Sequence, residues 1–168
     1  DIDIDIDNML ACMTSPKLML ANDDLRTIKI EEWFRNDQLP DIFKIPQPYR
    51  NCKILNVIMC SPNADQRYYL ISVNSSYCLN LNASHKNNSV YFTLNHMGLF
   101  QKCFCRCATT QGRLWGRCEN FTSEKIEIPD DIIGLLFSDD DAKRSKYLET
   151  ILKEEQKYVS NNEDRWNL

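Results

Sequence analysis

The sequence contains no acidic residue from Gln66 to Cys118, although the whole chain of 168 residues holds 24 Asp and Glu. Six Lys and Arg side chains lie in the same window, so its net charge is +6. The whole chain carries −4, and the residues outside the window therefore carry −10. This separation predicts a basic face that meets an anion, flanked by acidic segments that do not. The alternative is that a small cysteine-rich module simply has no use for acids.

Long apolar runs are also missing, because no stretch approaches the roughly 18 apolar residues of a membrane span. The first residues, DIDIDIDNMLACMTSPK, are acidic where a secretory signal has a basic region, and no continuous apolar run follows them. The chain does not begin with Met, and we expect it to be part of a longer polypeptide. With 43% hydrophobic residues, 4 Gly and 6 Pro, the composition is that of a globular protein.

The pattern of residues divides the chain into three predicted segments. Residues 1–60 form an N-terminal, mainly helical scaffold, in which residues 18–48 carry the helical signal and Asn22 or Asp23 caps the helix. Residues 61–129 form a β module. Residues 130–168 form an acidic helical segment, with a capping pair at Ser138 and Asp141 and an apolar stripe over 147–159.

Strand signals are concentrated in the middle of the chain. Runs rich in β-branched and aromatic residues, bounded by turn residues, occur at 52–60, 67–75, 89–96 and 98–105, and a short alternating run occurs at 124–128. Together with the flanking helical segments they predict an α+β fold. Its sheet is expected to be small and antiparallel.

Eight cysteines are present, and five of them lie close together with one histidine. Cys12, Cys52 and Cys60 stand singly in apolar surroundings and are interpreted as small buried hydrophobic residues. The other five are Cys78, Cys103, Cys105, Cys107 and Cys118, and His85 lies between the first two of these. This layout is typical of a zinc site, in which thiolates and an imidazole come from separate turns. His96 has no cysteine at ligand spacing and is predicted to be structural.

The alternative for eight cysteines is a secreted domain held by disulfides, in which Asn74, Asn82, Asn87 and Asn120 would be glycosylation acceptors. The absence of a secretory signal and the size of the chain weigh against it. The spacing of Cys103, Cys105 and Cys107 is also too close for these thiols to pair with each other. We therefore favour the metal, and we expect the small sheet to carry a zinc-organised β lobe.

Three spaced stretches resemble the zinc-binding module of primase-polymerases of the archaeo-eukaryotic primase superfamily. They are CLNLNASHKNNSVYF (78–92), LFQKC (99–103) and CENFTSEKIEIP (118–129). The module occurs in eukaryotic PrimPol, in the primase subunit of herpesvirus helicase–primases and in primases of large nucleocytoplasmic DNA viruses. The resemblance covers residues 78–129.

The resemblance implies one structural Zn²⁺ held by Cys78, His85, Cys103 and Cys118. Lys86, Asn88 and Lys102 match polar positions of the family pattern, and Phe121, Ser123 and Pro129 match its tail. The chain departs from the cellular pattern by the insert FCRCATTQGRLWGR between Cys103 and Cys118, which is more similar to the viral members. The extra thiols leave open whether Cys105 or Cys107 replaces Cys103 or Cys118 as a ligand.

In this family the module assists primer initiation, which implies contact with single-stranded template and with the triphosphate of a nucleotide or primer. The residues agree, because Lys86, Lys102, Arg106, Arg113 and Arg117 can pair with phosphates. Tyr91, Phe100 and Trp115 lie among them and could stack on bases. For Trp115, a place in the small core of the lobe is an equal alternative.

No catalytic residues are predicted. DIDIDID offers an Asp-x-Asp pattern, but the 70 residues that follow it contain no histidine and too little chain for a nucleotide-binding fold. We therefore expect a non-catalytic accessory domain that works with a catalytic primase domain of the same longer polypeptide. A helicase is a further candidate partner, and no membrane is expected.

Two functions remain open at this stage. The first is the zinc-binding domain of a DNA primase in DNA replication. The second is a zinc-stabilised interaction module that docks a replicative helicase or a single-strand-binding protein, in which the basic window serves solubility. By analogy with the family, the location is a reducing intracellular compartment, either the nucleus or a cytoplasmic viral replication site.

Overall fold

The structure of the protein is a computed structural model that describes residues 17–61 and 66–138. Within these ranges the chain forms a five-stranded antiparallel sheet, a two-stranded hairpin and two α-helices, which agrees with the predicted α+β class. The large sheet has the strand order β1-β2-β3-β6-β7. Its strands are β1 (Lys17–Met19), β2 (Ile54–Cys60), β3 (Tyr68–Val73), β6 (Val90–Asn95) and β7 (Gly98–Cys103).

The first helix, α1 (Leu25–Arg35), is shorter than the helical signal over residues 18–48 suggested. Its N-cap is Asp24, whose carboxylate accepts the Arg26 backbone N–H at 2.9 Å, so the prediction of a cap at Asn22 or Asp23 was wrong. The helix ends before Leu39 and Pro40, and two 3-10 turns follow, at Asp41–Phe43 and Gln47–Tyr49. Prolines at 40, 46 and 48 prevent a longer α-helix in this segment.

Side chains alternate between two faces of the large sheet. On β3 and β6, Tyr69, Ile71, Phe92 and Leu94 are fully buried, while their neighbours in sequence are half-buried. Phe34 of α1 meets Phe92 edge to face at 5.2 Å between ring centroids. The buried face is therefore the one that α1 covers, and the period of two is that of a sheet with one covered face.

The second helix, α2 (Asp130–Leu136), packs on the same buried face. The ring of Phe137, which follows it, lies 5.7 Å from that of Tyr69, and the Tyr69 hydroxyl and the Arg67 guanidinium both donate to the Leu136 carbonyl. The helix after Pro129 is thus confirmed over these residues. None of the helices in the described ranges has the length and apolar character that a bilayer crossing requires.

A small lobe is built beside the end of β7. It contains the hairpin β4 (Tyr77–Cys78) and β5 (Ala83–Ser84), a 3-10 turn at Cys118–Asn120, and a backbone bridge between Leu99 and Ile126. The predicted strand over 124–128 is reduced to this single bridge. The lobe places four cysteine and histidine side chains close to one another.

The division into segments 1–60, 61–129 and 130–168 stays a prediction. Strand β2 pairs with β3 across the boundary at residue 60, so one sheet spans the first two segments. The DIDIDID run, Cys12, the capping pair of Ser138 with Asp141 and the apolar stripe over 147–159 lie wholly or partly outside the described residues.

Candidate metal centre

Cys78, His85, Cys103 and Cys118 converge to form a candidate metal site. Each is buried, and the four potential ligand atoms all lie within 4.8 Å of one another. Cys78 ends β4, His85 directly follows β5, Cys103 ends β7 and Cys118 begins the 3-10 turn. Four separate segments of the chain therefore contribute one candidate ligand each, as is usual in structural metal sites.

The geometry fits a small tetrahedral ion. The Sγ atoms of Cys78 and Cys118 are 4.0 Å apart, and the Sγ of Cys103 is 3.2 Å from the Nε2 of His85. A tetrahedral zinc with ordinary bond lengths separates two sulfurs by about 3.8 Å and a sulfur from a nitrogen by about 3.5 Å. A disulfide needs about 2.05 Å, and the seven cysteines in the described ranges are all free.

The protonation of the four residues depends on burial and on one arginine. Burial raises the pKa of Cys103 to about 12 and also raises the pKa of Cys78. Burial also tends to raise the pKa of Cys118. Interactions with Arg113, Asn80 and Cys78 together have the larger effect, so the pKa of that thiol is lowered. Burial, and then the charge of Arg113, lower the pKa of His85, which favours the neutral, metal-binding imidazole.

The Asn80 side chain hydrogen-bonds to several groups around the candidate site. Its side chain is fully buried, and its Nδ2 donates to the Cys118 Sγ at 3.4 Å and to the Gly116 carbonyl at 3.0 Å. Its Oδ1 accepts the Trp115 N–H at 2.7 Å. One amide thus connects a candidate ligand to the loop that precedes it.

Gln101 and Ser123 fix the position of the turn that carries Cys78. The buried Gln101 side chain accepts the Leu79 N–H at 3.1 Å, directly beside Cys78. The Ser123 hydroxyl in turn accepts the Gln101 N–H at 2.7 Å, and the Ser123 N–H donates to the Gln101 carbonyl. The Gln-Lys-Cys and Phe-x-Ser parts of the recognised pattern are therefore in direct contact.

Cys105 and Cys107 do not belong to the group of four. Cys105 is buried, and its N–H donates to the Cys103 Sγ at 3.4 Å, whereas Cys107 is exposed. A backbone N–H directed at a ligand sulfur is a common outer contact of metal-thiolate sites. Among the described cysteines, the geometry thus favours Cys103 and Cys118 over these two as ligands.

The basic residues of the window divide into two sets. Arg67 donates to the Leu136 carbonyl, Arg113 donates to the Gln111 carbonyl at 2.8 Å with its charge acting on the Cys118 thiol, and Arg117 pairs with Glu119 at 2.8 Å. Lys86 and Arg106 are exposed, and Lys102 is half-buried with its Nζ 2.9 Å from the Thr122 hydroxyl. Asn88 is half-buried close to Lys86 in sequence. Four of these six cations thus have partners among the described residues, and the other two, Lys86 and Arg106, face solvent.

Trp115 lies on the surface, with 76% of its side chain exposed, and the neighbouring Leu114 is 68% exposed. The two residues line a groove of about 680 Å³ together with Pro46, Leu79, Phe121 and the chain up to Ile126. A place in the small core is therefore excluded for Trp115. Its exposure leaves the ring free to contact another molecule.

Two residues of the site region had no role assigned from the sequence, Asn80 and Gln101. Their partners Cys118 and Leu79 are 38 and 22 positions away, a distance that no local pattern spans. The alternation of Gln101, Cys103 and Cys105 along one face of the chain was the available signal.

Comparison with known proteins finds a similarity over the residues that form this lobe. The sequence profile of the family described as Herpesviridae UL52/UL70 DNA primase matches residues 64–131. The matched range contains all four candidate ligands. No curated protein and no solved structure gives a significant match to the chain. The middle of this chain is thus similar to a DNA primase family and carries a candidate metal site.

Proposed function

We propose that this chain contains the zinc-binding domain of a DNA primase, and that it engages single-stranded template and the 5′-triphosphate of an initiating nucleotide or primer. The observation that carries the proposal is the buried group of three thiols and one imidazole inside a range similar to a DNA primase family. Three sulfurs and one nitrogen within tetrahedral reach are a donor set that suits Zn²⁺.

The residues that would hold the ion are Cys78, His85, Cys103 and Cys118. Four protein ligands leave no open position for a substrate, so zinc would supply structural stabilisation rather than Lewis-acid chemistry. Asn80 and the Cys105 N–H would orient the sulfurs, and Arg113 would offset part of their negative charge. The domain is proposed as a non-catalytic accessory to a catalytic primase domain of the same polypeptide, in a reducing intracellular compartment.

Contact with nucleic acid would come from the cations that, within the described residues, form neither an ion pair nor a contact with the candidate metal site. Lys86, Lys102 and Arg106 are placed to pair with phosphates, and Asn88 and Trp115 are further candidates. Arg113 and Arg117 remain candidates only if they give up Cys118 and Glu119. The two arginines are therefore weaker candidates for phosphate contact than the other cations, although the sequence alone treated all five alike.

The proposal is tested by the metal and thiol content of the purified chain. Elemental mass spectrometry is expected to find one zinc per chain, and denaturation with chelator is expected to release all 8 cysteines as reactive thiols. Cys118→Ser should lose the zinc, whereas the matched control Cys107→Ser, at an exposed position, should keep it. Full zinc in Cys118→Ser, or no zinc in the unmodified chain, would contradict the proposal.

Binding to oligo(dT) tests the nucleic-acid part, and affinity should fall steeply as salt rises. A second function competes here, because the apolar groove beside Trp115 also suits a protein partner such as a replicative helicase or a single-strand-binding protein. A zinc-loaded chain without salt-dependent binding to single strands would favour this interaction module.

A further inference from the structure

One face of the large sheet is not covered by either described helix. Both helices pack on the face that contains Phe92 and Tyr69. The opposite face presents half-buried side chains from β3, β6 and β7, among them Ser72, Tyr91 and Thr93. A half-solvated face is ordinary for an antiparallel sheet, so the chemistry of its side chains decides whether it binds anything.

The side chains at the β7 edge of this face alternate between aromatic and cationic. Phe100, Lys102, Phe104 and Arg106 follow one another at every second position, and all four are half-buried or exposed. The intervening Gln101, Cys103 and Cys105 are buried. Phe100 and Lys102 belong to β7, where two residues span about 6.6 Å, and Phe104 and Arg106 follow directly after the strand. The chain therefore presents aromatic and cationic side chains in turn, while Cys103 and Cys105 between them are buried.

Neighbouring β6 extends this surface. Tyr91 is paired with Lys102 and Thr93 with Phe100 in the antiparallel register. The rings of Tyr91 and Phe104 lie 4.3 Å apart between centroids, tilted by 31°. The Phe104 side chain is nevertheless 52% exposed. One side of a paired aromatic platform thus stays accessible to solvent.

The charge of the surface favours a polyanion. None of the five strands of the sheet contains Asp or Glu, and the whole stretch from Gln66 to Cys118 contains none. Lys102 uses one of its three donors on the Thr122 hydroxyl, and neither it nor Arg106 forms an ion pair within the described ranges. A protein partner would need no such alternation of rings and cations, whereas single-stranded nucleic acid offers bases and phosphates in the same alternation.

We propose that this open sheet face is a binding platform for single-stranded DNA, in which Phe100, Phe104 and Tyr91 stack on bases and Lys102 and Arg106 contact phosphates. The inference rests on the proposed engagement of single-stranded template and assigns it to the sheet face rather than to the Trp115 groove, which borders that face at Thr122, the partner of Lys102. The buried residues that alternate with Phe100 and Lys102 face the metal lobe. Strand β7 therefore contributes to both the candidate metal site and the platform.

The direct test is photo-crosslinking of the full 168-residue chain to oligo(dT) that carries 5-iodouracil, followed by peptide mass spectrometry. Crosslinks are expected at Phe100, Phe104 or Tyr91, since this chemistry favours stacked aromatic rings. Crosslinks confined to Trp115 would overturn the assignment to the sheet face.

Variants give an independent measure of the same contact. Phe104→Ala should weaken binding to oligo(dT) about tenfold, the range for loss of one stacked base. Lys102→Gln with Arg106→Gln should reduce the slope of log affinity against log salt by about 1.4, as expected for two lost phosphate contacts on a single strand. The matched controls are the exposed Met97→Ala and Lys53→Gln, which should leave both quantities unchanged.

The outcomes separate this inference from the function on which it depends. An unmodified chain that does not bind oligo(dT) at low salt would overturn both. An unmodified chain that binds, with Phe104→Ala and the Lys102/Arg106 variant at full affinity and Trp115→Ala weakened, would overturn the platform alone. Circular dichroism of Phe104→Ala should match that of the unmodified chain, because the side chain is half exposed.

Discussion

At the scale of single residues, Asn80 connects the candidate metal ligands to the surface loop. Its amide is fully buried and reaches the Cys118 sulfur, the Gly116 carbonyl and the Trp115 N–H. Its backbone carbonyl accepts the Leu114 N–H at 2.9 Å. The positions of Leu114 and Trp115 therefore depend on a residue that lies 34 or more positions earlier in the chain.

Replacing Asn80 by Ala should weaken both the metal site and the loop. We expect zinc affinity to fall about tenfold, as for other outer contacts of metal ligands, and the free energy of unfolding to fall by about 1–3 kcal/mol. Competition with a chromophoric chelator measures the first quantity, and denaturant unfolding measures the second. Asn120→Ala, at an exposed position of the same lobe, is the control. Equal zinc affinity in Asn80→Ala and Asn120→Ala would show that the amide does not support the site.

The sequence predicted the four clustered residues but not the side chains around them. Cys78, His85, Cys103 and Cys118 were assigned through a spaced pattern resembling a known module, and the structure brings them together. Arg113 was assigned to phosphate as one of the cations in the window without acidic residues. Its contact with Cys118 depends on how the loop folds back, which the sequence does not reveal.

At the scale of elements, prediction succeeded where one face is buried. The four long strands were recognised because they are rich in β-branched and aromatic residues and are bounded by turn residues. Buried and half-buried side chains alternate strictly along β3 and β6, whereas the pattern of β2 is interrupted by a register shift. The short strands β1, β4 and β5 have only two or three residues each, which is too few to show a period. Residues 18–48 were expected to be mostly helical, with prolines at 40, 46 and 48 limiting the helix, and the segment after Arg35 holds two 3-10 turns.

The turn between β6 and β7 gives a prediction at this scale. Gly98 has φ of +157°, and a Cβ there would lie 2.5 Å from the Lys125 side chain and 3.1 Å from the Ile126 carbonyl. Because Ile126 forms the bridge to Leu99, the backbone can move little. Gly98→Ala should therefore lower the free energy of unfolding by about 1–3 kcal/mol.

Thermal and urea unfolding of Gly98→Ala can be compared with Gly116→Ala. Gly116 has φ of +69°, but a Cβ there would meet no atom within 4 Å. Its substitution should cost only about 1 kcal/mol of left-handed backbone strain. If Gly116→Ala proved the more destabilising, the close approach of the 125–126 segment to β7 would not be the constraint that we describe.

At the scale of the whole molecule, the metal lobe and the sheet share one core. The contiguous buried cluster runs from Leu20 to Leu136 and includes Cys78, Cys103 and Cys118. The packing of α1 on the sheet, however, uses Ile30, Trp33, Phe34 and Phe92, which do not depend on the metal ligands. The lobe itself has only the two-residue strands β4 and β5 and a 3-10 turn as regular structure.

Removal of the metal should therefore loosen one part of the molecule before the rest. With a zinc chelator, we expect amide hydrogen exchange to rise over 77–85 and 104–121, while β2, β3 and α1 keep their protection. Overall stability should fall by about 4 kcal/mol if free zinc had been at a thousand times the dissociation constant, and re-addition of zinc should restore it. If exchange rose equally in β2 and β3, the sheet itself would depend on the ion, because loosening of the lobe alone would leave those strands protected. Exchange that does not change anywhere would mean that the four side chains hold no metal.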